Sequence, residues 1–265
     1  MYKFGILGVG KMGSSILNGI IEAKIFDKKD ILLNLFTEEE KEYYGNKLGF
    51  NYVLDANKLL SSCEVTLISI KPQVFGEIEN IAKSIDFSNR GIISIAAGIT
   101  LDYLHSIFKG AEIVRIMPNT PALIKMAVAT ICSKNKESKY YEIAFKIFNS
   151  IGKCYEIDES QMDATIPLNG SMPAYLELFA KAFIDKALKD GIDYDVAKAL
   201  VCESIISSAN LIIKSDETID TLIKNVCSKG GTTLAGLDKL YEYKFEEAIY
   251  ECSEACKNRS SELKR

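Results

Sequence analysis

A glycine-rich segment near the N-terminus has the spacing of a dinucleotide-binding loop. Its G-x-G-x-x-G pattern is formed by Gly8, Val9, Gly10, Lys11, Met12 and Gly13. In such a loop the first glycine permits a tight turn, the second lets the backbone approach a pyrophosphate, and the third lets the next helix pack close to the sheet. The free N–H groups at the start of that helix bind phosphates. The segment therefore predicts that the chain binds a dinucleotide.

The residues that would contact the adenosine ribose follow the second predicted strand. An acidic residue there favours NAD, because it accepts hydrogen bonds from the ribose 2′-hydroxyl. Here Thr37 ends the strand, and the three glutamates 38–40 and Lys41 come next. Thr37 and Lys41 could bind a 2′-phosphate, whereas the glutamates would repel it or simply form the acidic first turn of a helix. These residues leave the preference between NADH and NADPH open.

A second glycine-rich segment lies between two predicted helices in the C-terminal half. It consists of Ser228, Lys229, Gly230, Gly231, Thr232 and Thr233. Two glycines free the backbone, and two threonines start the next helix with hydroxyl and N–H groups pointing outward. Successive donors of this kind form an anion-binding nest. The segment predicts a binding site for a small carboxylate.

Three further polar or small-residue segments end successive predicted strands: Ser69–Gln73, Ser94–Thr100 and Arg115–Ala122. Ligands of open α/β sheets bind outside the carboxyl ends of the strands. Ala96, Ala97 and Gly98 are small enough to let a nicotinamide ring lie against the backbone, and Lys71 would place a positive charge near the cofactor. These segments extend the predicted dinucleotide site along one edge of a sheet.

The elements that must position these residues alternate along the first 160 residues. β-rich runs are found at Phe4–Leu7, Ile31–Phe36, Val65–Ile70, Ile92–Ile95, Glu112–Met117, Val128–Cys132 and Cys154–Ile157. Helical patterns lie between them at Lys11–Ala23, Glu38–Leu48, Val74–Ile85, Leu101–Phe108 and Ser138–Ile151. This alternation is typical of a parallel, doubly wound sheet.

The pattern becomes helical after residue 160. Helical periodicity is found at Ala174–Leu188, Val196–Ile213, Thr218–Val226 and Phe245–Cys256. We therefore expect an α/β, Rossmann-type domain in residues 1–160 that binds the dinucleotide. An all-α domain for substrate binding and dimerisation follows in residues 161–265.

Composition narrows the class of protein. The chain has 265 residues and a formal net charge of −4, which argues against nucleic acid as its main partner. Its seven cysteines include no C-x-x-C pair, so we expect reduced thiols, no metal site and a cytoplasmic location. We expect no membrane partner, because no apolar run approaches the ~20 residues of a membrane span. The only histidine, His105, is expected to be structural.

The segments together resemble the pyrroline-5-carboxylate reductase family. The glycine loop, Lys71–Gln73, Ala96–Gly98, Met117–Pro121, Gly170–Tyr175 and the Gly-Gly-Thr-Thr turn occur in the order the family shows, and the resemblance covers essentially the whole chain. Three positions depart from the family pattern. Asn169 replaces a serine, Met172 replaces a glycine, and Lys11 stands where the family often has a small or amide residue.

The resemblance implies reduction of 1-pyrroline-5-carboxylate to proline by hydride transfer to the carbon of a protonated C=N bond. It implies NADPH, or else NADH, as the cofactor and slightly favours NADPH. It implies that the Thr233 hydroxyl hydrogen-bonds the ring nitrogen and that the substrate is bound by Ser228, Gly230, Gly231, Thr232, Thr233, Asp216 and Asn225. The cofactor would be bound by the glycine loop together with Thr37, Asn57, Ile70, Lys71, Pro72, Ala96, Ala97, Gly98 and Asn119. The family also implies a homodimer or a larger homo-oligomer with intertwined helical domains.

Two other functions fit parts of the pattern. The same arrangement of domains serves other imine reductases and β-hydroxyacid dehydrogenases, and the latter rely on a lysine in the helical domain, for which Lys181 or Lys186 could be proposed. The second alternative is an NADPH-binding sensor without turnover. The Gly-Gly-Thr-Thr turn favours the reductase.

Overall fold

The structure is a computed structural model that describes residues Met1–Lys264. The chain forms two compact units. The first comprises Met1–Ser171 together with the C-terminal residues from Cys256 onward, and the second comprises Met172–Ala255. The predicted fold class, a Rossmann-type α/β domain followed by a helical one, is confirmed.

The first unit is built on an eight-stranded sheet in the order β3-β2-β1-β4-β5-β6-β7-β8. The strands are β1 (Tyr2–Leu7), β2 (Ile31–Asn34), β3 (Asn51–Val53), β4 (Cys63–Ile68), β5 (Gly91–Ser94), β6 (Glu112–Met117), β7 (Ala127–Cys132) and β8 (Gly152–Glu156). All neighbouring strands are parallel except β6 and β7, which are antiparallel. Strand order reverses beside β1, where such sheets bind ligands.

Helices cover both faces of the sheet. The α-helices of this unit are α1 (Lys11–Glu22), α2 (Glu38–Glu40), α3 (Ala56–Ser62), α4 (Phe75–Ala82), α5 (Leu101–Ile107), α6 (Lys139–Ser150) and α7 (Met162–Thr165). Residues of α1 and α6 pack into one apolar core, and residues of α3, α4 and α5 pack into the other. Strands β4 and β5 are therefore buried on both faces, which explains their nearly continuous apolar sequence.

The polypeptide after β2 differs from the single helix that the sequence predicts. Only Glu38–Glu40 is α-helical, and Lys41–Lys47 continues as a π-helix. Two short elements, β3 and α3, lie outside the predicted ones. Strand β3 has three residues at the edge of the sheet, none of them fully buried, so its sequence lacks the apolar pattern by which strands are recognised.

The second unit is entirely helical. It contains α8 (Met172–Lys189), α9 (Tyr194–Lys214), α10 (Ile219–Val226), α11 (Thr232–Glu242) and the first part of α12 (Phe245–Glu262). Helix α9 is long and apolar enough to cross a membrane, which corrects the expectation that no segment approaches that length. A few charged residues such as Lys198 and Glu203 interrupt its apolar runs, so no uninterrupted run reveals it. One such helix is weak support for a membrane span.

The last residues of the chain belong to the first unit. The Ser260 hydroxyl donates to Asp163 Oδ1 at 3.0 Å, and Lys264 Nζ lies 2.5 Å from Asp163 Oδ2. Asp163 and Ser260 are both buried. The first compact unit therefore includes α7 and the end of α12, which are joined by the contact between Asp163 and Ser260.

Candidate functional site

The glycine loop joins β1 to α1 and leaves one backbone surface open. Gly8 has φ +90°, a conformation that side chains disfavour, and a Cβ added to Gly13 would lie 2.4 Å from the Gly8 carbonyl oxygen. Gly10 is different, because a Cβ there would have no atom within 4 Å. Gly10 is also the N-cap of α1 and provides no side-chain hydrogen bond to the helix. The first N–H groups of α1 therefore face open space beside Gly10, as an incoming pyrophosphate requires.

The register of the sheet brings the other predicted segments to the same edge. Leu7 of β1 pairs with Ile68 of β4, Ile68 pairs with Ser94 of β5, and Ser94 pairs with Arg115 of β6. The turns that follow these strands therefore leave the sheet side by side. Lys71 is exposed and precedes a 3₁₀ turn at Pro72–Val74, and Ile70 and Pro72 are half-buried.

The loop after β5 carries the small residues predicted to face a nicotinamide ring. Ala96 is buried, Ala97 is half-buried, and Gly98 has φ +74°. A Cβ at Gly98 would lie 2.8 Å from the carbonyl oxygen of Leu263. The C-terminal segment of the same unit thus lies against this loop, a contact that nothing in the local sequence indicates.

Asn119 is buried at the end of β6, and its amide is used within the protein. Its Oδ1 accepts from the backbone N–H of Val128 at 2.9 Å, and its Nδ2 donates to the carbonyl of Asn169 at 3.2 Å. Asn169 in turn donates to the carbonyl of Met117 at 2.8 Å. The amide of Asn169, a departure from the family serine, therefore helps to hold the end of β6. Any contact of Asn119 with a cofactor would add to this structural role.

The predicted ribose-binding residues lie on two turns. Thr37 is the N-cap of α2, and its hydroxyl accepts from the N–H of Glu40 at 3.1 Å. Asn57 is exposed in the first turn of α3, where its N–H donates to the Asp55 carboxylate at 2.9 Å. Sequence reasoning missed the capping role of Glu40, although the spacing Thr-x-x-Glu is the known pattern of a capping box.

The Gly-Gly-Thr-Thr turn opens α11 in the helical unit. Gly230 has φ +71°, and the N–H of Gly231 donates to the carbonyl of Ser228 at 2.9 Å. Gly231 is the N-cap of α11 and offers no side chain to the helix. Thr232 is exposed and Thr233 is half-buried. The helix start therefore presents backbone N–H groups and two hydroxyls on one turn, which is suited to a small carboxylate.

Asn225 and Asp216, the two other predicted substrate residues, lie on the surface of the helical unit. Asn225 is exposed at the end of α10, and its amide donates to the Glu217 carboxylate at 2.9 Å. Asp216 is exposed in the turn before that helix. Both lie in the helical unit with the turn, and neither is shown in contact with it.

The lysines and the histidine that other chemistries would require lie in settings that do not suit those roles. Lys181 and Lys186 form ion pairs with Asp185 and Asp190 on the exposed surface of α8, which is no setting for a buried acid–base lysine. His105 is half-buried, and burial lowers its pKa.

The cysteines are all free thiols. Burial raises the pKa of Cys63, Cys132 and Cys154 to about 12, so these thiols are protonated and unreactive.

The comparisons with known proteins agree with this geometry over the whole chain. The family model for pyrroline-5-carboxylate reductase dimerisation matches residues 159–263, and the model for NADP oxidoreductase, coenzyme F420-dependent, matches residues 3–98. Pyrroline-5-carboxylate reductase of Haemophilus influenzae is 32% identical over 263 residues, which cover 97% of this chain and 96% of that protein.

Two solved structures extend the likeness to three dimensions. Pyrroline carboxylate reductase of Plasmodium falciparum with NADP bound has a TM-score of 0.89 and 30% identity, covering 100% of this chain and 98% of that one. The 1-pyrroline-5-carboxylate reductase of Streptococcus pyogenes has a TM-score of 0.87 and 28% identity, with 98% of each chain covered.

A Rossmann-type unit with an open glycine loop, followed by a helical unit, defines a nicotinamide-dependent oxidoreductase with a separate helical domain. Within that class the chain belongs to the pyrroline-5-carboxylate reductase family. Its members share a helical dimerisation domain, so the chain forms a homo-oligomer.

Proposed function

We propose that this chain reduces 1-pyrroline-5-carboxylate to proline with NAD(P)H, the last step of proline synthesis. The observation that carries the proposal is that two helices begin at a glycine N-cap, which leaves the first-turn N–H groups without a side-chain partner. Gly10 opens α1 for a diphosphate and Gly231 opens α11 for a carboxylate. A reductase of a carboxylated imine needs one site of each kind.

The residues of the first unit fit a nicotinamide dinucleotide. The open space beside Gly10 leaves room for a pyrophosphate, and the half-buried Ala97 presents a small side chain against which a flat ring can lie. When bound, the reduced nicotinamide supplies the hydride. The protein must bind this group, orient it and keep the reacting carbon accessible.

The Gly-Gly-Thr-Thr turn is proposed to hold the substrate through its carboxylate. The backbone N–H of Thr232, with the Ser228 hydroxyl, would bind the carboxylate, and the Thr233 hydroxyl would hydrogen-bond the ring nitrogen. The N–H of Gly231 already donates to the carbonyl of Ser228 and shapes the turn. The nitrogen carries a proton at or before hydride transfer, because an iminium carbon is a far better electrophile than an imine carbon. In the balanced reaction, imine, proton and hydride give a secondary amine, and NAD(P)H becomes NAD(P)⁺.

The direct assay is oxidation of NADH and of NADPH, followed by absorbance, with racemic pyrroline-5-carboxylate as substrate. Imine-dependent oxidation is expected with at least one cofactor. Binding of cofactor without oxidation would contradict the proposal and favour the sensor alternative.

A matched pair of variants tests the role assigned to Thr233. Thr233→Ala removes the hydroxyl, and the loss of one hydrogen bond to a charged group lowers kcat/KM by about tenfold or more. Thr233→Ser keeps the hydroxyl and should retain most of the activity. If Thr233→Ala stays within about threefold of the wild type, the hydroxyl takes no part in the reaction.

We also propose a homodimer, alone or within a larger assembly, formed through the helical unit. A groove of about 600 Å³ between α8 and α9 is lined by Phe179, Phe183, Leu200, Val201, Ile205 and Ile212. Its size and apolar lining suit helices of a second copy. The seven free cysteines support a location in the cytoplasm.

A further inference from the structure

The turn after β2 lies where a cofactor of this fold presents its adenosine ribose. Strand β2 is parallel to β1, and Asn34 at its end pairs with Leu7, the last residue before the glycine loop. This turn and the glycine loop therefore leave the sheet at the same edge. Its exposed residues, Phe36 and Thr37, offer the backbone N–H groups and the hydroxyl that a ribose 2′-phosphate would use.

A carboxylate of the protein already occupies these donors. Glu40 Oε2 accepts from the N–H of Phe36 at 2.7 Å and from the N–H of Thr37 at 3.2 Å. The Thr37 hydroxyl accepts from the N–H of Glu40 at 3.1 Å, which closes a capping box. The carboxylate of Glu40 thus occupies the N–H donors that a 2′-phosphate would need.

The other polar groups of the turn are also committed to carboxylates. Lys41, the first cation after Thr37, forms an ion pair with Glu38. Glu39 lies between Glu38 and Glu40 in the same turn and is exposed, and local hydrogen bonding lowers the pKa of its carboxyl. Glu39 is therefore ionised at neutral pH, and it adds a second negative charge beside Glu40.

A phosphate and a hydroxyl would meet this turn very differently. A 2′-phosphate carries close to two negative charges and would have to displace Glu40 while lying beside Glu38 and Glu39. A ribose 2′-hydroxyl is neutral and can donate a hydrogen bond to a carboxylate. Building on the proposed function of this cofactor site, we propose that Glu40 occupies the 2′-phosphate position and makes NADH the preferred cofactor.

The test is calorimetric titration of NADH and NADPH into the full chain, without any imine. We expect the wild type to bind NADH tighter than NADPH by about tenfold or more, the effect of one strong charge-assisted contact. Glu40→Ala should tighten NADPH binding by a similar factor and weaken NADH binding, because the carboxylate that accepts from the ribose 2′-hydroxyl is lost. Higher salt should narrow the wild-type preference, because screening weakens repulsion between exposed charges.

Two further variants separate charge from folding. Glu40→Gln keeps a side chain that can complete the capping box and removes only the charge, so it should shift the preference toward NADPH without unfolding the turn. Glu42→Ala removes an equal charge from the exposed residue that binds Asn46, and should leave the preference unchanged.

NADPH binding as tight as NADH binding in the wild type, or an unchanged preference in both Glu40 variants, would overturn the proposal. Binding of neither dinucleotide would overturn it together with the proposed function. Failure of imine reduction alone, with NADH preferred and the Glu40 variants shifted, would refute the reductase and leave the role of Glu40 supported.

Discussion

Substituting Gly10 and Gly13 separately should divide the binding role of the glycine loop from its folding role. Gly10 has φ −71°, a conformation open to any residue, and a Cβ there meets no atom within 4 Å. A Cβ at Gly13 would lie 2.4 Å from the Gly8 carbonyl oxygen, which is backbone and cannot turn aside. The same added methyl group is therefore harmless to folding at one position and disruptive at the other.

The magnitudes follow from these contacts. Gly10→Ala should change the free energy of unfolding by less than about 1 kcal/mol, because the gain from a less flexible unfolded chain offsets the small loss at an N-cap. Gly13→Ala forces the backbone apart and should destabilise by about 1–3 kcal/mol, the usual range for overpacking. In a unit of this size that lowers the thermal midpoint by roughly 2–12 °C.

The affinity for NADH should fall in the variant that folds normally, Gly10→Ala. The methyl group of Gly10→Ala stands where a pyrophosphate approaches the N–H groups of α1, and losing one charge-assisted hydrogen bond there weakens NADH binding by about tenfold or more. Circular dichroism on heating measures stability, and calorimetric titration of NADH measures affinity. Normal NADH binding by Gly10→Ala would place the pyrophosphate elsewhere, and an undiminished midpoint for Gly13→Ala would show that the loop relaxes freely around the methyl group.

Two other predictions concern assembly and the C-terminal segment. Leu200→Asp places a charge in the apolar groove at a residue that is 60% exposed, and it should shift the elution of the chain on size exclusion toward that of the 29.4 kDa monomer. The control Leu54→Asp changes a residue outside the groove that is 57% exposed, and it should leave the elution unchanged. Burial raises the pKa of Asp163, but hydrogen bonds from Lys264 and Ser260 hold it below its ordinary 3.8. Because the folded pKa is the lower one, its contribution to stability is present above about pH 4 and lost below it. The protection factors of backbone amides at the end of α12, which correct for the slower chemical exchange at low pH, should therefore fall in acid, and they should fall in Asp163→Asn at neutral pH. Elution of Leu200→Asp at the volume of the wild type would refute the first prediction. Unchanged protection of the amides at the end of α12 would refute the second.

The parts of the fold that the sequence predicts are those set by local pattern. Strands β4 and β5 are recognisable as apolar runs because helices cover both faces. The glycine loop is recognisable because backbone conformation requires Gly8 and a close backbone contact requires Gly13, while Gly10 leaves open space. Strand β3 escapes prediction because its three residues lie at a solvated edge. Its position is fixed by pairing with β2, which no window of its own sequence contains.

The parts of the site that could not be predicted depend on contacts between distant residues. Asn119 and Asn169 are fifty positions apart in the sequence. Only the folded chain shows that the Asn119 amide donates to the Asn169 carbonyl and that the Asn169 amide donates to the Met117 carbonyl at the end of β6. Asp163 and Ser260 are separated by 97 positions. Glu40 is a different case, because its capping-box spacing is visible in the sequence, but the direction of its carboxylate, toward the two N–H groups of the ribose turn, is not.

The helix starts provide a common explanation for what the chain is expected to bind. Among the described helix starts, six have a side chain that accepts from the first turn, namely Thr37, Asp55, Thr100, Ser138, Asp193 and Thr218. Helices α1 and α11 begin instead at glycines that leave those donors free. A glycine N-cap costs only a few tenths of a kcal/mol relative to the best caps, so leaving the donors bare hardly affects folding.

At three turns of the proposed site, the occupancy of the N–H donors indicates the charge of the ligand that is expected there. The first-turn N–H groups of α1 and α11, which no side chain caps, suit a diphosphate and a carboxylate, because each anion replaces the missing cap. At the ribose turn Glu40 already supplies the anion, so a neutral hydroxyl fits and a phosphate does not. At all three turns an anion accepts hydrogen bonds from backbone N–H groups. At the ribose turn that anion is the carboxylate of Glu40, and its presence decides which form of the cofactor is expected to bind.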